Sequence, residues 1–281
     1  MKLIECPRDA MQGLHEFIAT DTKAAYINKL LKVGFDSIDF GSFVSPKAIP
    51  QLRDTAEVLE KLDLSSTSTK LLAIVANIRG VQEAVKHEPI SYLGFPFSVS
   101  ETFQQRNTNS TITESLNTVE ELVNLCSKTN KTGVVYLSMG FGNPYGDEWS
   151  NEIVEQLTSE LFERGVKILS LSDTIGVSTP EKINYLFPHL VNQFPDIEFG
   201  VHLHSNPTSW KEKIEAAYMS GCKRFDAALG GFGGCPMAAD DLTGNIATEN
   251  LISYLQIQGE DLNLDMEAWL DAIEFSGKIF K

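Results

Sequence analysis

Short apolar runs with β-forming character alternate with helical stretches along the whole chain, and this alternation limits the fold more than any other feature. Runs at 3–6, 37–40, 70–75, 90–95, 133–139, 167–172, 198–204 and 224–229 predict strands. Each is followed by a predicted helix, near 21–33, 50–62, 78–87, 112–128, 150–163, 180–193, 208–220 and 247–258. Thr179-Pro180 ahead of EKINYLF and Ser150 ahead of NEIVEQL are local helix-start signals. A helical crossover returns the chain to the same end of a sheet, so the strands must run parallel. Eight such units predict closure into a (β/α)8 TIM barrel of the α/β class. An amphipathic stretch at 264–280 predicts an additional C-terminal helix that covers a barrel end or a partner subunit. With 281 residues, 42% of them hydrophobic, the chain can bury one such core. No linker or low-complexity segment divides it, so one domain over 1–281 is expected.

The net charge of -15, with no Lys/Arg-rich block, argues against nucleic-acid binding. An anionic small-molecule substrate would need a local positive site. The sequence has no apolar run of membrane-spanning length, and MKLIECPRDA has neither a signal-peptide nor a transit-peptide pattern, so a cytoplasmic protein is expected. Cys6, Cys126, Cys222 and Cys235 are widely spaced without a CxxC pair, which suits free thiols in a reducing compartment.

The seventh predicted strand, in IEFGVHLHSN, carries the strongest chemical signal. Alternate residues of a strand share a face, so Glu198, Gly200, His202 and His204 point one way and Ile197, Phe199, Val201 and Leu203 the other. Two imidazoles on one face at a buried strand end need partners, and a divalent metal is the obvious one. Taken alone, HxH is equally compatible with two structural histidines.

In a barrel, chemistry collects at the C-terminal ends of the strands. The residues there are unusually polar: Arg8 and Asp9, Asp39 and Ser42, Asn77, Glu101, Asn143, Asp173 and Thr174, His202 and His204, then the loop GGFGGCPMAADDLTGN. Closure would bring Asp9 beside strands seven and eight. Two neutral imidazoles, one carboxylate and an amide oxygen such as that of Asn245 would form a nitrogen and oxygen set suited to Mg2+ or Mn2+ rather than structural zinc. Each residue also has an ordinary reading: Arg8-Asp9 as a partly exposed ion pair, Asp173-Thr174 as a loop cap, Cys235 as a small buried hydrophobe. Ser45-Pro46-Lys47 reads equally as a helix entry and as a phosphate or carboxylate contact, and Gly230, Gly231, Gly233 and Gly234 as a turn or a hinged lid.

Five segments, ECPRDAMQ, SIDFGSFVSPKAIPQL, SLSDTIG, VHLH and GGFGGCP…GNIATENL, together resemble the hydroxymethylglutaryl-CoA lyase family. That family belongs to the metal-dependent barrel superfamily that includes isopropylmalate and homocitrate synthases. The resemblance runs from Leu3 to about Phe280. It implies metal-dependent cleavage of hydroxymethylglutaryl-CoA, or a close 3-hydroxyacyl-CoA analogue, to acetyl-CoA and acetoacetate, as in leucine degradation and ketone-body formation. It implies Asp9, His202, His204 and Asn245 as ligands of Mg2+ or Mn2+, Arg8 at the developing enolate oxygen and Cys235 as proton donor. Gln12, Asp39 and Asp173 complete the polar shell, with Asp9 or a water held by the cation as base. Ser42 and Lys47 join Arg8 and Gln12 as candidate substrate contacts. A homodimer is also expected from the family.

The chain departs from the family pattern in several places. Asp39 stands where the family carries Glu, one methylene longer, so a water-mediated contact is expected there. Ser205 replaces the Asp that follows the second histidine, Ala10 and Met11 replace Gly and Leu, and the loop between Cys235 and Asn245 is one residue longer and includes Asp240 and Asp241. Two other functions remain open on the residues: a Claisen-type enzyme condensing an acyl-CoA with a 2-oxoacid, and a non-catalytic metal- or acyl-CoA-binding barrel. The chain ends soon after its eighth unit, unlike the synthases, and the Cys235 loop favours the lyase.

Overall fold

The computed structural model describes residues 1–234 and 243–280. Eight strands form the barrel: β1 (Lys2–Glu5), β2 (Ser37–Ser42), β3 (Lys70–Ile74), β4 (Ile90–Ser98), β5 (Thr132–Ser138), β6 (Ile168–Asp173), β7 (Glu198–Ser205) and β8 (Arg224–Ala227). All neighbours pair in parallel, in chain order, and β1 closes on β8 with Leu3 opposite Phe225 and Glu5 opposite Ala227. A ninth short strand, β9 (Gly244–Asn245), pairs antiparallel with β7. The expected strands all form, within a residue or two at most ends and with β4 extended by three residues to Ser98.

The helices are α1 (Pro7–Gln12), α2 (Thr20–Val33), α3 (Thr55–Glu60), α4 (Ile78–Ala84), α5 (Glu101–Thr108), α6 (Ile112–Lys128), α7 (Asn151–Glu163), α8 (Pro180–Gln193), α9 (Trp210–Met219), α10 (Thr248–Ile257) and α11 (Met266–Ser276). Those outside the barrel bury one apolar stripe against it. On α6 that stripe is Leu116, Val119, Leu122 and Cys126, at helical spacing, and a capping box of Thr111 and Glu114 sets its start. Thr179, as expected, caps α8, and Ser150 caps α7.

Periodicity predicts neither α1 nor α5. Both are short, and α5 (ETFQQRNT) buries only Phe103 and Gln104, so it has no apolar stripe to read. The stretch expected as one helix at 50–62 is a 3-10 turn at Pro50–Leu52 followed by α3, with Asp54 between them outside helical geometry. The C-terminal helix α11 packs on α2: Trp269 meets Phe35 edge-on at 5.8 Å, and Phe275 stacks on Tyr26 at 6.3 Å. It therefore covers the outside of a barrel helix. Among the described residues no helix is long and apolar enough to cross a membrane.

Candidate active site

A cavity of roughly 460 Å3 opens at the C-terminal ends of the strands. Arg8, Asp9, Gln12, His202 and His204 line its polar part, and Ile74, Pro96, Tyr136 and Phe103 its apolar wall. Barrel closure carries α1, which starts directly after β1, to the ends of β7 and β8.

Asp9, His202 and His204 converge so that one ligand atom from each lies within 4.8 Å of the others. Both imidazoles are oriented from behind. His204 Nδ1 lies 3.0 Å from the Thr174 carbonyl, which can only accept, so Nδ1 carries the hydrogen and Nε2 presents its lone pair. That Nε2 is buried and has no partner among the described residues. His202 Nδ1 lies 3.2 Å from Asp226 Oδ2, and the two residues are register partners on β7 and β8. A carboxylate or carbonyl behind each histidine is the arrangement that prepares imidazoles for a metal. An orphaned buried nitrogen facing a carboxylate fits a divalent cation held by Asp9, His202 and His204.

Asn245 reaches this group through β9, which places it opposite His204 in register. Its Nδ2 donates to Asp9 Oδ2 at 2.6 Å and to the Phe232 carbonyl at 2.9 Å, so only Oδ1 can serve a cation. Gly233, at φ +103, lets the chain pass close: a Cβ there would lie 2.5 Å from Asn245 Nδ2 and 3.0 Å from Asp9 Oδ2. The glycines at 230, 231, 233 and 234 all have positive φ, so each turns the chain in a way other residues resist.

Arg8 and Asp9 are 8% and 6% exposed, which excludes the reading as a loose surface pair. Arg8 Nε donates to both Asp39 oxygens, at 3.2 and 2.9 Å, and NH2 donates to Asp39 Oδ2 at 2.5 Å. NH1 donates to Asp9 Oδ1 at 2.9 Å and to Gln12 Oε1 at 2.8 Å, and Gln12 Nε2 donates back to Asp9 Oδ1 at 2.8 Å. The water-mediated contact expected at Asp39 is therefore corrected: the shorter carboxylate grips Arg8 directly, because α1 brings the guanidinium down onto β2. One hydrogen of Arg8 NH2 has no partner among the described residues.

The electrostatics separate the carboxylates. Burial pushes Asp9 up, but Arg8, His202, His204 and the Asn245 hydrogen bond hold it at about 2, so it is an anion. Burial raises Asp39 to about 6, with Arg8 opposing. Burial and the neighbouring His202 lower His204 to about 4, which keeps it neutral. For His202, burial disfavours the charged ring, but Asp226 and Asp9 outweigh it and raise the pKa.

The other sequence candidates fall in varied places. Ser42 and Asn77 line the cavity, and Ser42 Oγ has no partner among the described residues. Lys47 is exposed on the loop after β2 and is not among the residues lining the cavity, whereas Ser45 and Ala48 are. Asp173 is buried and does not line it; its carboxylate caps the loop after β6 through Val177, Ser178 and Lys213. Glu101 and Asn143 serve local turns, accepting from Ile112 and from Tyr145 and Asp147. Cys235, Asp240 and Asp241 lie outside the described residues. Sequence reasoning missed Asp226, although a single acid in the apolar strand RFDA was a visible signal, and missed the cavity wall on α5 with Phe103, Arg106 and Asn107.

A closed parallel barrel with an acid, two histidines and an arginine at its strand ends defines a (β/α)8 TIM barrel whose strand ends carry a group that could hold a metal ion. The HMGL-like family model matches residues 3–275, and the chain belongs to that family. It is 35% identical over 272 residues to a hydroxymethylglutaryl-CoA lyase of Bacillus subtilis, covering 96% of this chain and 89% of that protein. It is 31% identical to the human cytoplasmic 3-hydroxy-3-methylglutaryl-CoA lyase over 278 residues, 98% of this chain and 74% of the relative. The crystal structure of the Bacillus subtilis HMG-CoA lyase superposes with a TM-score of 0.92 at 34% identity, covering 100% of this chain and 94% of that one. An HMG-CoA lyase from Acinetobacter baumannii in complex with coenzyme A and 3-methylmalate superposes with a TM-score of 0.90 at 31% identity, over 99% of this chain and 90% of that one.

Proposed function

We propose that this protein cleaves 3-hydroxy-3-methylglutaryl-CoA to acetyl-CoA and acetoacetate, with Mg2+ or Mn2+ held by Asp9, His202, His204 and Asn245. The observation that carries the reading is the convergence of Asp9, His202 and His204 in the cavity, where His204 Nε2 is buried with no partner among the described residues. The similarity to lyases over nearly the whole chain supports the substrate, and the coenzyme A complex of one relative supports an acyl-CoA occupant.

In the reaction the C3 hydroxyl loses its proton, the C2–C3 bond breaks, C3 becomes the ketone of acetoacetate, and the electron pair becomes the thioester enolate, which is then protonated at C2. A bound divalent cation supplies Lewis-acid polarisation of the substrate oxygens. Asp9, or a water held by the cation, would take the hydroxyl proton. The hydrogen of Arg8 NH2 that has no partner among the described residues can meet the enolate oxygen, where charge develops in the transition state. Asp39 and Gln12 fix the guanidinium plane, so this donor needs no reorganisation during the reaction. Cys235 donates its thiol proton to C2, and the resulting thiolate regains a proton from solvent before the next turnover. Asp173 holds the loop whose Thr174 carbonyl orients His204. Ser42 lines the substrate space, and exposed Lys47 on the loop after β2 is the candidate contact for the part of an acyl-CoA that would extend beyond the cavity. The barrel and its C-terminal helix act as one catalytic domain over 1–281, in a cytoplasmic homodimer.

The test is release of acetoacetate and acetyl-CoA from hydroxymethylglutaryl-CoA with Mg2+, with Mn2+ and after chelation. Metal-dependent release is expected; no product with either metal, from folded protein that binds metal, would reject the substrate.

A further inference from the structure

Lys213 on α9 is 2% exposed, and its ammonium meets three oxygens. They are Asp173 Oδ2 at 2.8 Å, the Gly176 carbonyl at 2.9 Å and the His204 carbonyl at 2.8 Å. An ammonium has one donor for each. A charge buried to this extent persists only when paired and fully hydrogen-bonded, and Lys213 meets both conditions.

These three contacts converge on one cation ligand. The first fixes the β7 backbone at His204 itself. The other two fix the loop after β6, through Asp173, whose carboxylate also accepts from Val177 N, Ser178 N and Ser178 Oγ, and through Gly176. Thr174 lies in that loop, and its carbonyl takes the hydrogen of His204 Nδ1. The backbone of His204 and the group that orients its ring are thus joined through a single ammonium. Ser205, the neighbour of His204, brings no charge to this corner, so the charge that anchors it comes from the helix outside the barrel.

We propose that Lys213 is a positioning residue for the cation site: it sets where His204 presents Nε2 and so sets divalent-cation affinity without touching cation or substrate. The proposal rests on the reading of His204 as a ligand. Outer groups that orient a metal ligand commonly change affinity by about 10- to 100-fold when removed.

The experiment is Mn2+ titration followed by electron paramagnetic resonance, on the wild type, Lys213→Met, and a double variant Asp173→Asn with Lys213→Met. The double variant removes both buried charges, so it carries the test where the single variant leaves Asp173 unpaired and fails to fold. The expected result is Mn2+ affinity about 10- to 100-fold weaker in the variants, with saturating Mn2+ returning cleavage by Lys213→Met toward the wild-type rate. Wild-type affinity in a folded variant overturns the role of Lys213 alone. Absence of Mn2+ binding by the wild type overturns the reading of the site beneath it.

Discussion

Gly233 passes so close to Asn245 that a single added methyl group would lie 2.5 Å from the Asn245 amide nitrogen, and it would also meet Asp9. The turn at Gly233 and the ligand group are therefore one packing unit. Its backbone, at φ +103, resists any side chain as well. Gly233→Ala is expected to weaken Mn2+ binding by about 10-fold or more, read by titration on the folded variant, and to lower thermal stability as well, because the methyl group and the positive φ both strain the turn. Unaltered affinity would separate the turn from the site.

His204→Ala removes the buried nitrogen that has no other partner among the described residues. Its loss should weaken cation binding by more than about 100-fold, beyond the usual effect of outer groups, and abolish metal-dependent product release. Calorimetric titration with Mn2+ checks it; binding at wild-type strength would place the cation elsewhere.

Cation binding requires neutral His202, and Asp226 and Asp9 raise its pKa above 6.5. A proton therefore competes with the cation as pH falls through that raised value, and affinity should drop by about tenfold per unit well below it. Asp226→Asn removes the main support of the charged ring, so the decline should begin at lower pH. A Mn2+ affinity profile flat across this range in the wild type would contradict the assignment.

Glu5 is fully buried at the end of β1, and burial raises it from 4.5 to about 8, despite bonds from Thr248 Oγ1 and Leu229 N. The folded protein then holds a proton that the unfolded chain releases. Its contribution to stability is present below about pH 4.5 and is lost as pH rises through about 8. Glu5→Gln can keep both contacts without the charge, so it should melt higher than the wild type at pH 9 and similarly at pH 5. Equal melting temperatures at both values would mean that Glu5 is not the group responsible.

Cys235→Ala is expected to lower cleavage by orders of magnitude while Mn2+ affinity stays at the wild-type value. Unchanged turnover would remove this thiol from the mechanism.

Local sequence was enough to set the architecture. Strand and helix periodicities are short-range properties, and eight parallel units have one compact closure, so the barrel, and with it the end where chemistry collects, could be read from the chain alone. The same holds for His202 and His204, whose shared face follows from the two-residue period of β7. Two kinds of feature were decided only by tertiary structure. Helices α1 and α5 are too short or too polar to show a periodic stripe, and they form because the barrel end offers a surface to cover. The bonds from Asp226 to His202, from Thr174 to His204, from Asp39 to Arg8 and from Lys213 to Asp173 join residues far apart in sequence. A hydrogen bond depends on separation and angle in space, which closure of the barrel sets and residue order does not encode locally.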